Sequence, residues 1–212
     1  MDTNELIEAL AADRRPPAAP LSSVWWGAAG LGIVLAGGVF FAALGLRADI
    51  AAAAETIRFL FKFVVTTTLA VSAFVVAQAL SRPGETWRRS MPCLAAPPAL
   101  ILMAVVVELL LLPPDVWSAR MIGTNSMVCL TYIPLIGIGP LAIFLAALRY
   151  GAPTRAALAG AVAGLLAGGI AATFYAAQCT DDSPLFVATW YTIAIGGLAF
   201  LGAVTANRFA RW

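Results

Sequence analysis

Few residues in this chain have chemistry to offer. There are three cysteines and no histidine among 212 residues, which removes the usual general base, the usual transition-metal ligand and any haem-ligating imidazole. Cys129 and Cys179 each stand at the edge of a long apolar run, and Cys179 is followed at once by Asp181 and Asp182. Lys62 and Glu108 lie inside apolar runs of their own. Two thiols facing an oxidising compartment can form a static disulfide, act as a reversible redox sensor, or join a nearby carboxylate in holding a soft metal ion such as Cd(II) or Cu(I). The residue types alone leave all three open. No Cys-x-x-Cys pair occurs, so the electron-passing chemistry of thiol oxidoreductases is not expected.

The elements that must position these residues are set by composition. With 61% apolar and 11% charged residues and a mean hydropathy of +0.90, the chain departs from soluble domains, where about a quarter of residues are charged. It reads as an all-α, polytopic membrane protein. Six apolar runs approach the roughly 20 residues needed to cross a bilayer: Val24 to Leu46, Ile57 to Leu80, Cys93 to Leu112, Val128 to Leu148, Arg155 to Ala177 and Leu185 to Ala206. The expected organisation is a cytoplasmic segment over residues 1–22 and a six-helix transmembrane domain over 23–212. Alternating the short loops puts Arg14, Arg15, Arg82, Arg88, Arg89, Arg149, Arg155, Arg208 and Arg211 on one side and only Arg47, Arg58, Lys62 and Arg120 on the other. The positive-inside rule then predicts both termini in the cytoplasm. Trp25, Trp26, Trp117 and Tyr132 are expected in the interfacial belts. A net charge of +2 from scattered basic residues points away from direct nucleic-acid binding.

Within this frame the fourth and fifth spans are antiparallel neighbours. Counted from their shared loop at 1.5 Å per residue, Cys129 and Cys179 fall within about 6 Å of each other in height, so they are expected to meet at the outer end of the bundle. Cys93, at the inner start of the third span, reads as an inert small hydrophobe. Lys62 and Glu108 match in depth about one turn from the outer ends of the second and third spans, where they would pair or, the preferred reading, snorkel to the surface. Ala156, Gly160, Gly164, Gly168 and Ala172 recur every four residues and give the fifth span a face along which another backbone can approach. Ala28, Gly32 and Ala36 repeat a weaker version in the first span, and Pro134 and Pro140 are expected to kink the fourth. The glycine face could serve an internal contact or a homodimer.

Ahead of the spans, Asp2 and Glu5 fit a capping box for a helix from Thr3 to Asp13. Leu6, Ile7, Leu10 and Ala11 line one face of it. Its acidic character is opposite to a signal-peptide leader, and Pro16, Pro17 and Pro20 form a stiff spacer behind it. About eleven residues are too few for a helix stable alone in water; the expectation is a helix that folds on a partner.

The whole chain resembles the NrsF family of bacterial membrane anti-sigma factors. The resemblance rests on the N-terminal "ELIEALAAD" stretch followed by arginines and prolines, and on two outward cysteines about fifty residues apart. It implies that an extracytoplasmic-function (ECF) sigma factor is held at the inner membrane and released under heavy-metal or oxidative stress, with Cys129 and Cys179 as the sensing pair. The exposed cytoplasmic sequence assigns sigma binding to Leu6, Ile7, Leu10, Asp13 and Arg14, aided by the Arg82 to Arg89 loop. Movement at the thiols is expected to reach the first span through the glycine face. No cofactor and no enzymatic activity are expected. A small inner-membrane transporter or a thiol-redox membrane protein is the alternative.

Overall fold

A computed structural model describes residues 2–12, 20–82 and 87–209. The described chain is helical throughout, with six helices long and apolar enough to cross a membrane, as the composition predicts. The N-terminal helix runs Thr3–Ala12, and the Asp2 backbone N–H donates to the Glu5 carboxylate at 3.2 Å, which is one half of the expected capping box.

The first span is Leu21–Ala43, displaced about three residues toward the N-terminus of its expected position. Its end is set by Gly45, whose φ of +74° lets the chain turn out of the helix while its N–H bonds back to the Phe40 carbonyl at 3.1 Å. The second span, Ile57–Leu80, is as read. The third is a helix over Ala96–Leu111 preceded by a tight 3-10 turn over Met91–Ala95, because Pro92, Pro97 and Pro98 crowd its start and can supply no N–H. Cys93 lies exposed on that turn. The fourth span, Ser126–Leu148, stays helical across Pro134 and Pro140. The fifth is Ala156–Ala176. The sixth opens with Pro184–Phe186, widens into a π turn over Val187–Tyr191 and continues as Thr192–Phe209. A short helix over Trp117–Ile122, absent from the sequence reading, fills the connection between spans three and four.

The fifth span is the centre of the bundle. A Cβ placed on Gly160 would run into the Gly202 carbonyl oxygen, and one on Gly164 into that of Leu198, so spans five and six meet backbone to backbone. Gly169 meets the second span in the same way at Ala70, and Gly137 brings the fourth span against Ala171 and Ala167. The glycine face is therefore consumed by internal contacts. The first span packs directly on the fourth, with Gly32 against Phe144 and Pro140. This corrects the expected route of coupling: the glycine face meets span six, and the fourth span reaches the first without it. Trp25 is fully buried, stacked on Phe144 with centroids 6.1 Å apart and edge-on to Phe74 at 6.2 Å. It belongs to the core, whereas Trp26, 67% exposed, keeps the expected outward position. The third span is peripheral, with only Pro97 and Glu108 of its helix buried.

Where helices touch through glycines, added bulk has no room, and overpacking typically costs about 1–3 kcal/mol. Gly164→Leu is expected to lower the thermal unfolding midpoint of the detergent-solubilised protein by several degrees. Gly38→Leu, at a position whose Cβ would meet nothing within 4 Å, is expected to leave it unchanged.

Candidate functional site

Cys129 is in the first turn of the fourth span, its N–H bonded to the Asn125 carbonyl at 2.8 Å. Cys179 follows the last turn of the fifth, its N–H bonded to Tyr175 O at 3.0 Å. Both cysteines are free and buried, 0% and 1% exposed. The two thiols are buried in one cluster with Tyr175 and Tyr191. The structure thus brings together the pair singled out by spacing. Cys93 is at the opposite end of the bundle.

Tyr175 and Tyr191 form the wall of this site, with ring centroids 5.7 Å apart. The Tyr175 hydroxyl reaches the Asn125 carbonyl at 3.5 Å. The Tyr191 hydroxyl is buried without a hydrogen-bond partner in good geometry and lies beside the Cys179 sulfur. Tyr191 stands at the end of the π turn, a distortion frequent at functional sites because it re-aims side chains that a regular helix would direct elsewhere.

The cover over the thiols is the connector between spans five and six, residues 177–183, and every neighbouring element holds it. Lys62 of the second span donates to the Cys179 carbonyl at 2.8 Å and pairs with the Asp182 carboxylate at 2.5 Å. Arg47 reaches the same carbonyl at 3.3 Å and Asp182 at 3.1 Å, while Asp49 fixes its guanidinium through two bonds of 2.7 Å. The hydrogen bonds to Asp49 raise the Arg47 guanidinium further above its ordinary range, and they hold the exposed Asp49 carboxyl below its own. Asp181 braces the entry to the fourth span: one carboxylate oxygen accepts from the backbone N–H groups of Thr124 and Asn125, the two residues ahead of the helix, at 2.9 and 2.8 Å. Gly123, with φ +60° and no room for a Cβ beside Phe186 and Asp181, lets the chain turn into that contact.

Glu108 of the third span completes the set by accepting from Ser183 Oγ at 2.8 Å and from the Leu185 N–H at 3.1 Å. Arg58 stands 3.9 Å from its other oxygen. Lys62 and Glu108 therefore neither pair nor snorkel, being 1% and 3% exposed. The physical reason is that the connector itself supplies their partners inside the fold. Sequence reasoning missed this role, and with it Asp181 and Asp182 as anchors. The run Asp181-Asp182-Ser183-Pro184 carried the clue, since acidic and hydroxyl residues before a proline mark a helix entry.

Burial pushes the Cys179 thiol above its usual range, with the Lys62 charge opposing that shift. A buried thiol held protonated is a poor nucleophile and a poor metal ligand. Among the described residues no group of three or more His, Cys, Asp and Glu side chains is placed to hold a metal ion, so a soft metal would find two thiols there and no third side-chain ligand of those types. On the N-terminal helix, Ile7 is 58% exposed. Asp13, Arg14 and the side chains of Leu6 and Leu10 lie outside the described residues.

Fold and site together define a class: a six-span helical membrane protein with a polar N-terminal helix and a buried thiol pair at one end of the bundle. The comparisons are specific. A family model described as "Negative regulator of sigma F" matches residues 10–212, and the chain belongs to that family, NrsF. It is 34% identical to the anti-sigma-F factor NrsF of Caulobacter vibrioides and 30% identical to a probable anti-sigma-F factor NrsF of Azospira oryzae, each alignment covering all of both chains. No solved structure matches. The resemblance read from the N-terminal stretch and the cysteine spacing is thereby shown.

Because Asp181 accepts from the Thr124 and Asn125 N–H groups and from the Asn125 amide, Asp181→Ala is expected to cost about 1–3 kcal/mol, the usual cost of leaving such donors without their acceptor. Denaturation of the purified protein in detergent, followed by loss of helical circular dichroism, measures it.

Proposed function

We propose that this chain is an anti-sigma factor of the bacterial inner membrane that holds an ECF sigma factor through residues 1–22 and releases it when Cys129 and Cys179 react with an oxidant or a soft metal. The observation that carries the reading is one line of contact. The thiol pair lies at the start of the fourth span, the fourth span packs directly on the first, and the first begins at Leu21, in the last two residues of the N-terminal segment.

The arginine distribution supports cytoplasmic termini and thiols at the outer face. In the resting state the N-terminal helix lays Leu6, Ile7 and Leu10 in a groove of the sigma factor, with Asp13 and Arg14 at its edge. Joining or bridging the thiols draws the end of the fifth span toward the start of the fourth, and the fourth carries that movement to the first. A bias toward release of only about 2–3 kcal/mol changes affinity roughly 30- to 150-fold. Lys62 and Glu108, on which a transport path would rest, are both engaged in anchoring the connector.

The test is co-purification of cellular proteins with the full-length chain and with a version lacking residues 1–22. A sigma factor retained by the full-length chain alone is expected; retention by both, or by neither under reducing and metal-free conditions, overturns the assignment of the binding segment. In the second arm Cys129→Ser/Cys179→Ser should keep sigma bound during oxidant or metal stress, read as absence of sigma-dependent transcription. Normal induction in that double variant would remove the cysteines from the mechanism.

A further inference from the structure

An ammonium carried into the apolar part of a bundle persists only where acceptors replace its water. Lys62, 1% exposed, finds its two acceptors, the Cys179 carbonyl and the Asp182 carboxylate, on the connector, and the Phe59 ring, 5.4 Å from its nitrogen, on another side. Fixing the carbonyl of Cys179 from the second span leaves its side chain turned inward toward Cys129, Tyr175 and Tyr191. Arg47 touches the same two groups at longer distances and is itself held by Asp49, so Lys62 is the closer of the two restraints.

We propose that Lys62 is the positioning residue that keeps Cys179 closed to reagents, so that the thiol reacts only when the connector lifts from Lys62. This rests on the reading of Cys129 and Cys179 as the sensing pair and adds to it what sets the threshold of response. A polar cleft of about 440 Å³ lies over the connector, lined by Arg120, Gly123, Thr124, Thr180, Asp181 and Asp182 among others, and Cys179 is absent from its lining. Reagent in that cleft meets the two carboxylates and the backbone, and the sulfur only after the connector moves. Removing one partner of a buried charged contact weakens the element that the other belongs to, and labelling of a buried thiol reports the population of the open state.

The experiment labels the full-length protein in membranes with a water-soluble maleimide and reads each cysteine by peptide mass spectrometry. Lys62→Met is expected to speed labelling of Cys179 by about tenfold, equivalent to about 1.4 kcal/mol in the opening equilibrium. Cys93, already exposed at the other end of the bundle, should keep its rate, and Lys62→Arg, which retains charge and donors, should restore slow labelling of Cys179. A reporter Ala163→Cys, at a site 0% exposed in the middle of the fifth span, distinguishes local opening from general loosening. Unchanged labelling of Cys179 in Lys62→Met, or labelling of the Ala163→Cys reporter in step with it, overturns the proposal. The sensing role is read separately: Lys62→Met should lower the oxidant dose that switches on sigma-dependent transcription. Faster labelling with an unchanged dose keeps Lys62 as the restraint and rejects the thiol pair as the sensor.

Discussion

The backbone contact between the fifth and sixth spans is the constraint on which the rest of the structure depends. Lipid tails are as apolar as leucine, so helices in a bilayer gain little from burying hydrophobic side chains against one another and associate through close packing instead. Gly160, Gly164 and Gly202 remove the side chains that would hold the two helices apart. Once their axes are fixed at that distance, the seven residues of 177–183 have little freedom in crossing from one to the other. The connector must run over the start of the fourth span, and Cys179 must come to Cys129.

Close packing places the connector; charge holds it down. Lys62, Glu108 and Arg47 come from three separate segments, and each gives its polar group to residues between Cys179 and Leu185. Burying ionic groups contributes little net stability, because desolvation offsets most of the attraction, but it is selective: an alternative path for the connector would strand those charges in an apolar medium. The arrangement exchanges stability for a single geometry over the thiols. The N-terminal helix obeys the opposite rule. Its described side chains are exposed, and a helix of ten residues draws little stability from itself.

Much of this was legible in the sequence, and the remainder was not for identifiable reasons. Apolar run length located all six spans, and the second span was read to the residue because Thr56 and Ser81 bound it with polar groups. The first was misplaced because hydropathy continues through Leu44 and Leu46 while Gly45 turns the backbone out. Counting residues along two antiparallel helices was enough to bring Cys129 and Cys179 together, since that inference needs only the helix rise. Depth matching misled for Lys62 and Glu108: it compares one helix with another and ignores a loop folding back between them. Trp25 was misread for a related reason, because a tryptophan near a span end suits the interface equally well whether it faces lipid or Phe144. The four-residue glycine repeat announced a close helix contact without naming the helix that fills it.

The π turn over Val187–Tyr191 amounts to one extra residue inserted into an otherwise regular sixth helix. Each residue of an α-helix advances the side-chain direction by about 100°, so the insertion decouples the two halves of the span. Below it, Ile195 and Leu198 keep the register that fits the glycine face of the fifth span. At the turn and above it, Tyr191 is set beside the Cys179 sulfur and Phe186 against Gly123, the two rings meeting edge-on. The packing face and the thiol wall can therefore vary independently in sequence, because a change that suits one need not be compensated in the other.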